Sequence, residues 1–185
     1  MNITKCIKRM ALGVMLVSLP LVGGCGDNTL TWQEEVKLLD GRVITVTQKR
    51  RIDEENIERE AWVMFKLPEI GNQEIVWHEN LEPQILNIFG GKLYVVGQPA
   101  TEREFRQYGS PKPSYIGYRF GEAKWERIQF SEIPNSIYDS NLYFENIAIT
   151  KLKHVSLADK EELINNDKYG GNLKRIDPDF VSINY

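Results

Sequence analysis

Alternation of apolar and polar positions dominates the chain beyond its first thirty residues. In TWQEEVKLLDGRVITVTQKRR, Val36 and Leu38 share one strand face with Lys37 on the other. Val43, Thr45 and Thr47 then alternate against Arg42, Ile44 and Val46. This period of two is the signature of a half-buried strand. Asp40-Gly41 separates the two runs, and Asp-Gly so flanked is a strong hairpin signal, because a type I′ turn needs positive φ at both central residues. The pattern predicts a hairpin of residues 34–39 and 42–49. Residues 61–68 and 73–79 predict a second strand pair, joined by a loop holding Pro68, Gly71 and Asn72. Residues 83–99 predict a third around Gly90-Gly91, and 114–130 a fourth with Gly121 in its turn. In that fourth pair Ile116, Tyr118 and Phe120 fall on one face and Tyr115 and Arg119 on the other, while Ile128 and Phe130 share a face in the second arm.

The segments between and after the hairpins read differently. KRRIDEENIERE, residues 49–60, is nearly all charged and predicts a solvated loop or frayed edge. Residues 131–137 predict a short helical turn capped by Ser131 and broken by Pro134. Residues 143–152 fit a further strand, and 180–185 another. The best helix is 156–167, with Ser156 as its cap, Asp159 three residues on, and Leu157 and Ile164 on one face. Hairpin following hairpin with short turns predicts a mainly β fold: an antiparallel meander (open sheet, sandwich or barrel-like) with one short C-terminal α-helix. The block 85–134 also resembles one blade of a β-propeller. A propeller needs at least four blades of about 40 residues, which would consume the whole chain.

The first 24 residues stand apart. Lys5, Lys8 and Arg9 precede an apolar run from Met10 to Val22, interrupted by Ser18 and Pro20. A basic start and an apolar stretch of about a dozen residues fit a secretory signal and fall short of the ~20 residues of a membrane span. Val22-Gly23-Gly24-Cys25 resembles the bacterial lipobox, in which small residues admit a protease and the cysteine thiol takes a thioether-linked diacylglycerol. The resemblance implies lipidation of Cys25, cleavage before it, a signal peptide of residues 1–24 and a membrane partner reached through the lipid. Several acyl chains on one residue anchor stably, at about 0.8 kcal/mol per buried methylene. Residues 25–31 then form a lipid-anchored tether and 32–185 a single mainly β domain. Gly26, not an aspartate, follows Cys25, which in lipoproteins resembling this one favours the outer membrane, facing the periplasm, if the cell is diderm.

Further along, W-x-E-E-V-x-L-x-D-G-R-x-I at 32–44 and P-x-P-x-Y-I-x-Y-x-F…W-x-R-I at 111–128 resemble stretches shared by a group of small uncharacterised bacterial envelope lipoproteins. The match spans most of the chain and implies the envelope as its location, with no activity to carry over.

Composition narrows the chemistry. The chain has 185 residues, 23 basic and 26 acidic, with a net charge of −3. Removing residues 1–24 takes away three positive charges and no negative one, leaving 161 residues at −6. An acidic chain without a long basic run argues against nucleic acid as partner. Cys6 departs with the signal and Cys25 is consumed by the lipid, so no cysteine is left for catalysis, thiolate metal binding or a disulfide. His78 and His154 are far apart in sequence and match no metal-ligand spacing; no cofactor or metal is expected. Glu79 and Glu82 near Trp77 are the pair that a glycosidase reading would use.

One loop stands out. QPATEREFRQYGSPKPSYIGY, residues 98–118, is long for a strand connection, and loops of this length tend to be functional or disordered. Pro111 and Pro113 stiffen it. Phe105, Tyr108 and Tyr115 offer apolar contact area and Arg106, with Arg103, charge-assisted donors, the residue types enriched at binding hot spots. The alternative is that its aromatics close one open end of the sheet. The sequence therefore predicts a lipid-anchored, non-catalytic binding module, with Phe105, Arg106, Tyr108 and Tyr115 as candidate contacts to an envelope protein or glycan. An enzyme acting on envelope polysaccharide through paired carboxylates and a purely structural envelope component are the alternatives.

Overall fold

A computed structural model describes residues 29–52, 58–143, 153–165 and 174–181. Four hairpins follow one another along the chain. β1 (Thr29–Lys37) pairs with β2 (Val43–Ile52), and β3 (Glu58–Leu67) with β4 (Gly71–Glu79). β5 (Glu82–Phe89) pairs with β6 (Lys92–Gln98), and β7 (Ile116–Gly121) with β8 (Lys124–Ile128). The first two hairpins join antiparallel through β2 and β3, the last two through β6 and β7. The result is two open sheets of order β4-β3-β2-β1-β9 and β5-β6-β7-β8, which do not close into a barrel. The mainly β, antiparallel-rich fold with a short C-terminal helix is the one the periodicity predicts.

The two sheets share one core. Val36, Val63 and Trp77 from the first meet Leu86, Val95 and Tyr118 from the second. A second layer covers the outer face of β5–β8, where Ile85, Tyr94 and Val96 are buried against Ile133, Ile137 and Ile176. Two coverings explain why β5 and β6 read as continuous apolar runs and not as alternation.

Each predicted turn was placed correctly within a residue or two, but its chemistry differs in two cases. At 38–42 only Gly41 has positive φ, at +86°. The Gly41 N–H closes on the Leu38 carbonyl at 3.0 Å, and the Leu38 N–H on the Arg42 carbonyl at 2.8 Å. This is a three-residue loop with glycine in the left-handed position, not the type I′ turn expected. Gly90-Gly91 is a two-residue turn with positive φ at both positions. In the fourth hairpin Gly121 still pairs with Lys124, and the turn residues are Glu122 (φ +51°) and Ala123 (φ +61°).

Other expectations are corrected. Within 49–60, Lys49–Ile52 continue β2 and Glu58–Glu60 open β3, so the charged run is largely strand; residues 53–57 lie outside the described set. Arg50 within that run is buried. β1 begins at Thr29, ahead of the domain start expected at residue 32. A six-residue helix, α1 (Glu102–Gln107), sits inside the long loop where none was predicted. Residues 130–132 and 135–137 form two 3-10 turns flanking Pro134, the first capped by Gln129 and Glu132 and not by Ser131. The strand expected at 143–152 lies almost wholly outside the described residues, as does most of 180–185.

The C-terminal helix, α2 (Leu157–Asn165), has the predicted cap: Asp159 accepts from the Ser156 N–H and hydroxyl at 2.7 Å each. The two residues just ahead of it, His154–Val155 (β9), run parallel to β1, the one parallel pair among the described residues. The helix face that meets the sheet carries a charge. Lys160 is buried and pairs with the buried Glu34 of β1 at 2.5 Å, and its ammonium also donates to the Asn141 carbonyl at 2.7 Å. Ile164, expected on that face, is exposed. Glu34 is further held by the Gln48 amide and by the Tyr143 N–H at 2.9 Å. A buried carboxylate is tolerable only when so satisfied.

Candidate functional site

All four hairpin turns lie at one end of the sandwich, tied together by the Leu39 N–H bonding Asn87 Oδ1 at 2.7 Å and by an ion pair of Arg42 with Glu69. An open cleft of about 810 Å³ runs between the tips there, bounded by residues 69–76 and 120–123, with Trp125 donating to the Val76 carbonyl at 2.8 Å across the two sheets. The long loop occupies the opposite end.

That loop is built from its own sequence. Thr101 precedes α1, and its hydroxyl bonds the buried Glu104 one turn on. The helix stops at Tyr108. Gly109 takes φ +86°, its N–H bonds the Arg106 carbonyl at 3.0 Å, and the Ser110 N–H bonds the Phe105 carbonyl at 2.9 Å. This 6→1 and 5→2 pattern is a Schellman motif. Pro111-Lys112-Pro113 then leads back to β7, and the Ser114 N–H is held by the Phe180 carbonyl at 2.9 Å.

Tyr108 fastens the loop to the sandwich. Its hydroxyl donates to Glu79 Oε2 at 2.9 Å and accepts from the Asn80 N–H at 3.2 Å. Burial, then the Glu79 hydrogen bond, pushes the Tyr108 phenol well above its ordinary range. Burial, then the charge of Glu79, does the same to Tyr118. Arg127 on β8 donates to the Tyr108 carbonyl at 2.8 Å and lies over its ring at 5.5 Å.

Between this loop and the end of β8 opens a cleft of about 530 Å³, walled by residues 108–113, 115–116 and 127–130. The volume is within the range of small-molecule sites. Of the four contacts predicted in the loop, Tyr108 forms a wall of the cleft. Tyr115 reaches it but is buried, stacked with Phe130 at 6.1 Å in the outer core layer. Arg106 is exposed on α1 in an ion pair with Glu102, and Phe105 is half-buried beside it. Lys112 and Arg127 are not among the candidates the sequence singles out: one lies between prolines, the other sits beside Ile128 in a strand.

The remaining candidates are dispersed. His78 stacks on Trp62 at 4.3 Å on the first sheet, and His154 is exposed in β9. Glu79 is engaged by Tyr108, and Glu82 by the Gln98 amide at 3.0 Å. Among the described residues no three His, Cys, Asp or Glu side chains are grouped to hold a metal, and no helix is long and apolar enough to cross a membrane. No family model, curated protein or solved structure matches the chain.

Proposed function

We propose that this chain is a lipid-anchored protein of the bacterial envelope that works by binding, and that the cleft beside the 98–115 loop is its contact surface. The observation that carries the binding reading is the loop itself: a connection stiffened by prolines, closed by a Schellman motif and clamped through Tyr108 keeps an open cleft of about 530 Å³. A preformed surface loses little ordering entropy on contact. The anchoring reading rests on the lipobox-like residues 22–25. Three residues separate Cys25 from Thr29, so the extended link spans at most about 14 Å. The start of β1 is at the same end of the sandwich as the long loop. A protein tethered there turns the loop towards its own membrane and the hairpin tips away from it. The residue after Cys25 favours the outer membrane of a diderm.

Two measurements in cells test this. Cys25→Ser should abolish incorporation of a fatty-acid analogue and leave a heavier precursor; undiminished label sinks the anchor. A photo-crosslinker in place of Arg106 should capture one discrete partner. A folded, membrane-bound protein that captures nothing from that position, or from Lys112, would retire the binding surface.

A further inference from the structure

Charge around the cleft runs against the rest of the molecule. The chain is acidic, yet among the described residues no aspartate or glutamate lines the cleft, and its two ionic side chains, Lys112 and Arg127, are both cationic. Elsewhere the exposed and half-buried arginines with described side chains are neutralised. Arg42, Arg51, Arg103, Arg106, Arg119 and Arg175 each have a carboxylate within 4.0 Å. Among the arginines whose side chains are described, Arg127 is the exposed one with no ion pair. Its guanidinium is instead oriented by a carbonyl, that of Tyr108, and by the Tyr108 ring. A guanidinium has five N–H donors, so that bond leaves most of them unclaimed. Lys112 has no protein partner in the described residues. The acids nearest in sequence are turned elsewhere: Glu126 and Glu132 both face Arg119, and Glu132 also caps the Gln129 N–H.

We infer that the cleft is an oxyanion site, in which Lys112 and Arg127 receive the carboxylate or phosphate group of an envelope ligand. This deepens the binding reading and rests on it. An oriented guanidinium with open donors suits planar or tetrahedral oxyanions, and a neighbouring ammonium adds a point charge. Two cations that line one cleft and have no ion pair of their own among the described residues leave their charge for a bound anion to neutralise. Phosphate and carboxylate share this chemistry, and the ligand's source decides between them: a phospholipid headgroup or a uronic-acid glycan.

The test uses the full chain in a neutral detergent, titrated separately with inorganic phosphate and with glucuronate, and followed by NMR shifts of backbone amides. At least one anion should shift amides of residues 109–116 and 127–130 saturably. Lys112→Gln and Arg127→Gln should each weaken that affinity about tenfold, while Arg119→Gln, on the other face of the sheet, leaves it unchanged. Response to phosphate alone assigns a phosphate-bearing ligand, and response to glucuronate alone a carboxylate-bearing one. If neither anion shifts these amides, or if folded Lys112→Gln binds as tightly as wild type, the oxyanion site is wrong. Lys112→Gln breaks no hydrogen bond or ion pair among the described residues, so its result stands even if Arg127→Gln folds poorly. Crosslinking from position 106 reads partner capture independently, so a failed anion site and a failed contact surface give different results.

Discussion

The side chain of Asn141 pairs with the backbone of Leu86 as a neighbouring strand would. The Leu86 N–H donates to Asn141 Oδ1 at 2.9 Å, and Asn141 Nδ2 donates back to the Leu86 carbonyl at 2.8 Å. The same Nδ2 reaches the Lys37 carbonyl on β1 at 3.0 Å. One amide therefore stitches the edge of the second sheet to the first. Asn141→Asp puts an oxygen against two carbonyl oxygens in place of the donor, and should cost about 2–4 kcal/mol. Asn141→Ala loses the bonds without the repulsion and should cost less. Urea melts of both variants check this; equal midpoints would mean that Nδ2 is not the bridging atom.

The pair of Glu34 and Lys160 makes a second, sharper forecast. Lys160→Met leaves a buried carboxylate with only the Gln48 amide and the Tyr143 N–H for partners, and should destabilise by about 3–5 kcal/mol. Glu34→Gln combined with Lys160→Met removes both charges and should recover much of that loss. A double-mutant cycle from denaturant melts gives the coupling, and strict additivity would show that the two charges do not depend on each other.

The turn at Glu122-Ala123 holds two non-glycine residues at φ +51° and +61°. The left-handed region costs an ordinary L-residue about 1 kcal/mol. Ala123→Gly should therefore raise stability by about 0.5–1 kcal/mol, against the usual direction for glycine. Gly41→Val at φ +86° should lower it by about 1–3 kcal/mol. Thermal melts of the two variants should move in opposite directions.

What the sequence disclosed and what it concealed divide by range. Hairpins are local: period-two alternation closed by Asp40-Gly41 or Gly90-Gly91 is written within twenty residues, and those strands were legible. The turn at Glu122-Ala123 was assigned to Gly121 because glycine is the default left-handed residue and here two others do its work. Arg50 was hidden in a charged run, since nothing nearby in sequence says that the 141–143 segment covers it; its guanidinium donates to the Tyr143 carbonyl at 3.1 Å, 93 residues away. The parallel pairing of His154–Val155 with β1 is two residues long and has no periodicity to read. The long loop was visible by length and composition, but its cleft needed the opposite wall, and Arg127 comes from a strand whose alternation marks it as ordinary surface.

Alkaline pH offers a test of the Tyr108–Glu79–Tyr118 group. Both phenols have pKa values raised in the folded protein, chiefly by burial. For such a group the native state keeps its proton where the unfolded chain, with an ordinary phenol pKa near about 10, releases it. The stability it contributes is therefore complete below about pH 10 and is lost as pH rises from there towards the raised folded value. Urea midpoints should fall more steeply between pH 9 and pH 11 for the wild type than for Tyr118→Phe, which keeps the ring against Trp77 and has no proton to lose. Parallel curves would show that these phenols are not what the native fold protects.

The loop can be divided into parts that hold it and parts that, on the proposed function, contact a partner. Tyr108 belongs to the first kind: its hydroxyl joins Glu79 and the Asn80 N–H to the end of α1. Tyr108→Phe leaves the ring under Arg127 and removes both bonds, leaving a half-buried carboxylate short of a donor, and should cost about 1–2 kcal/mol. Arg106 belongs to the second kind: it is exposed and paired only with Glu102 one turn earlier on α1. An exposed pair of this type contributes well under about 1 kcal/mol, so Arg106→Ala should leave the urea midpoint almost unchanged. Partner capture by a crosslinker at position 112 should respond the other way round: Arg106→Ala should reduce it in a protein that is fully folded, while Tyr108→Phe should reduce it only as far as the loop loosens. Should Arg106→Ala and Phe105→Ala both leave capture intact, the loop serves only to close the end of the sandwich, as its buried Tyr115 already does.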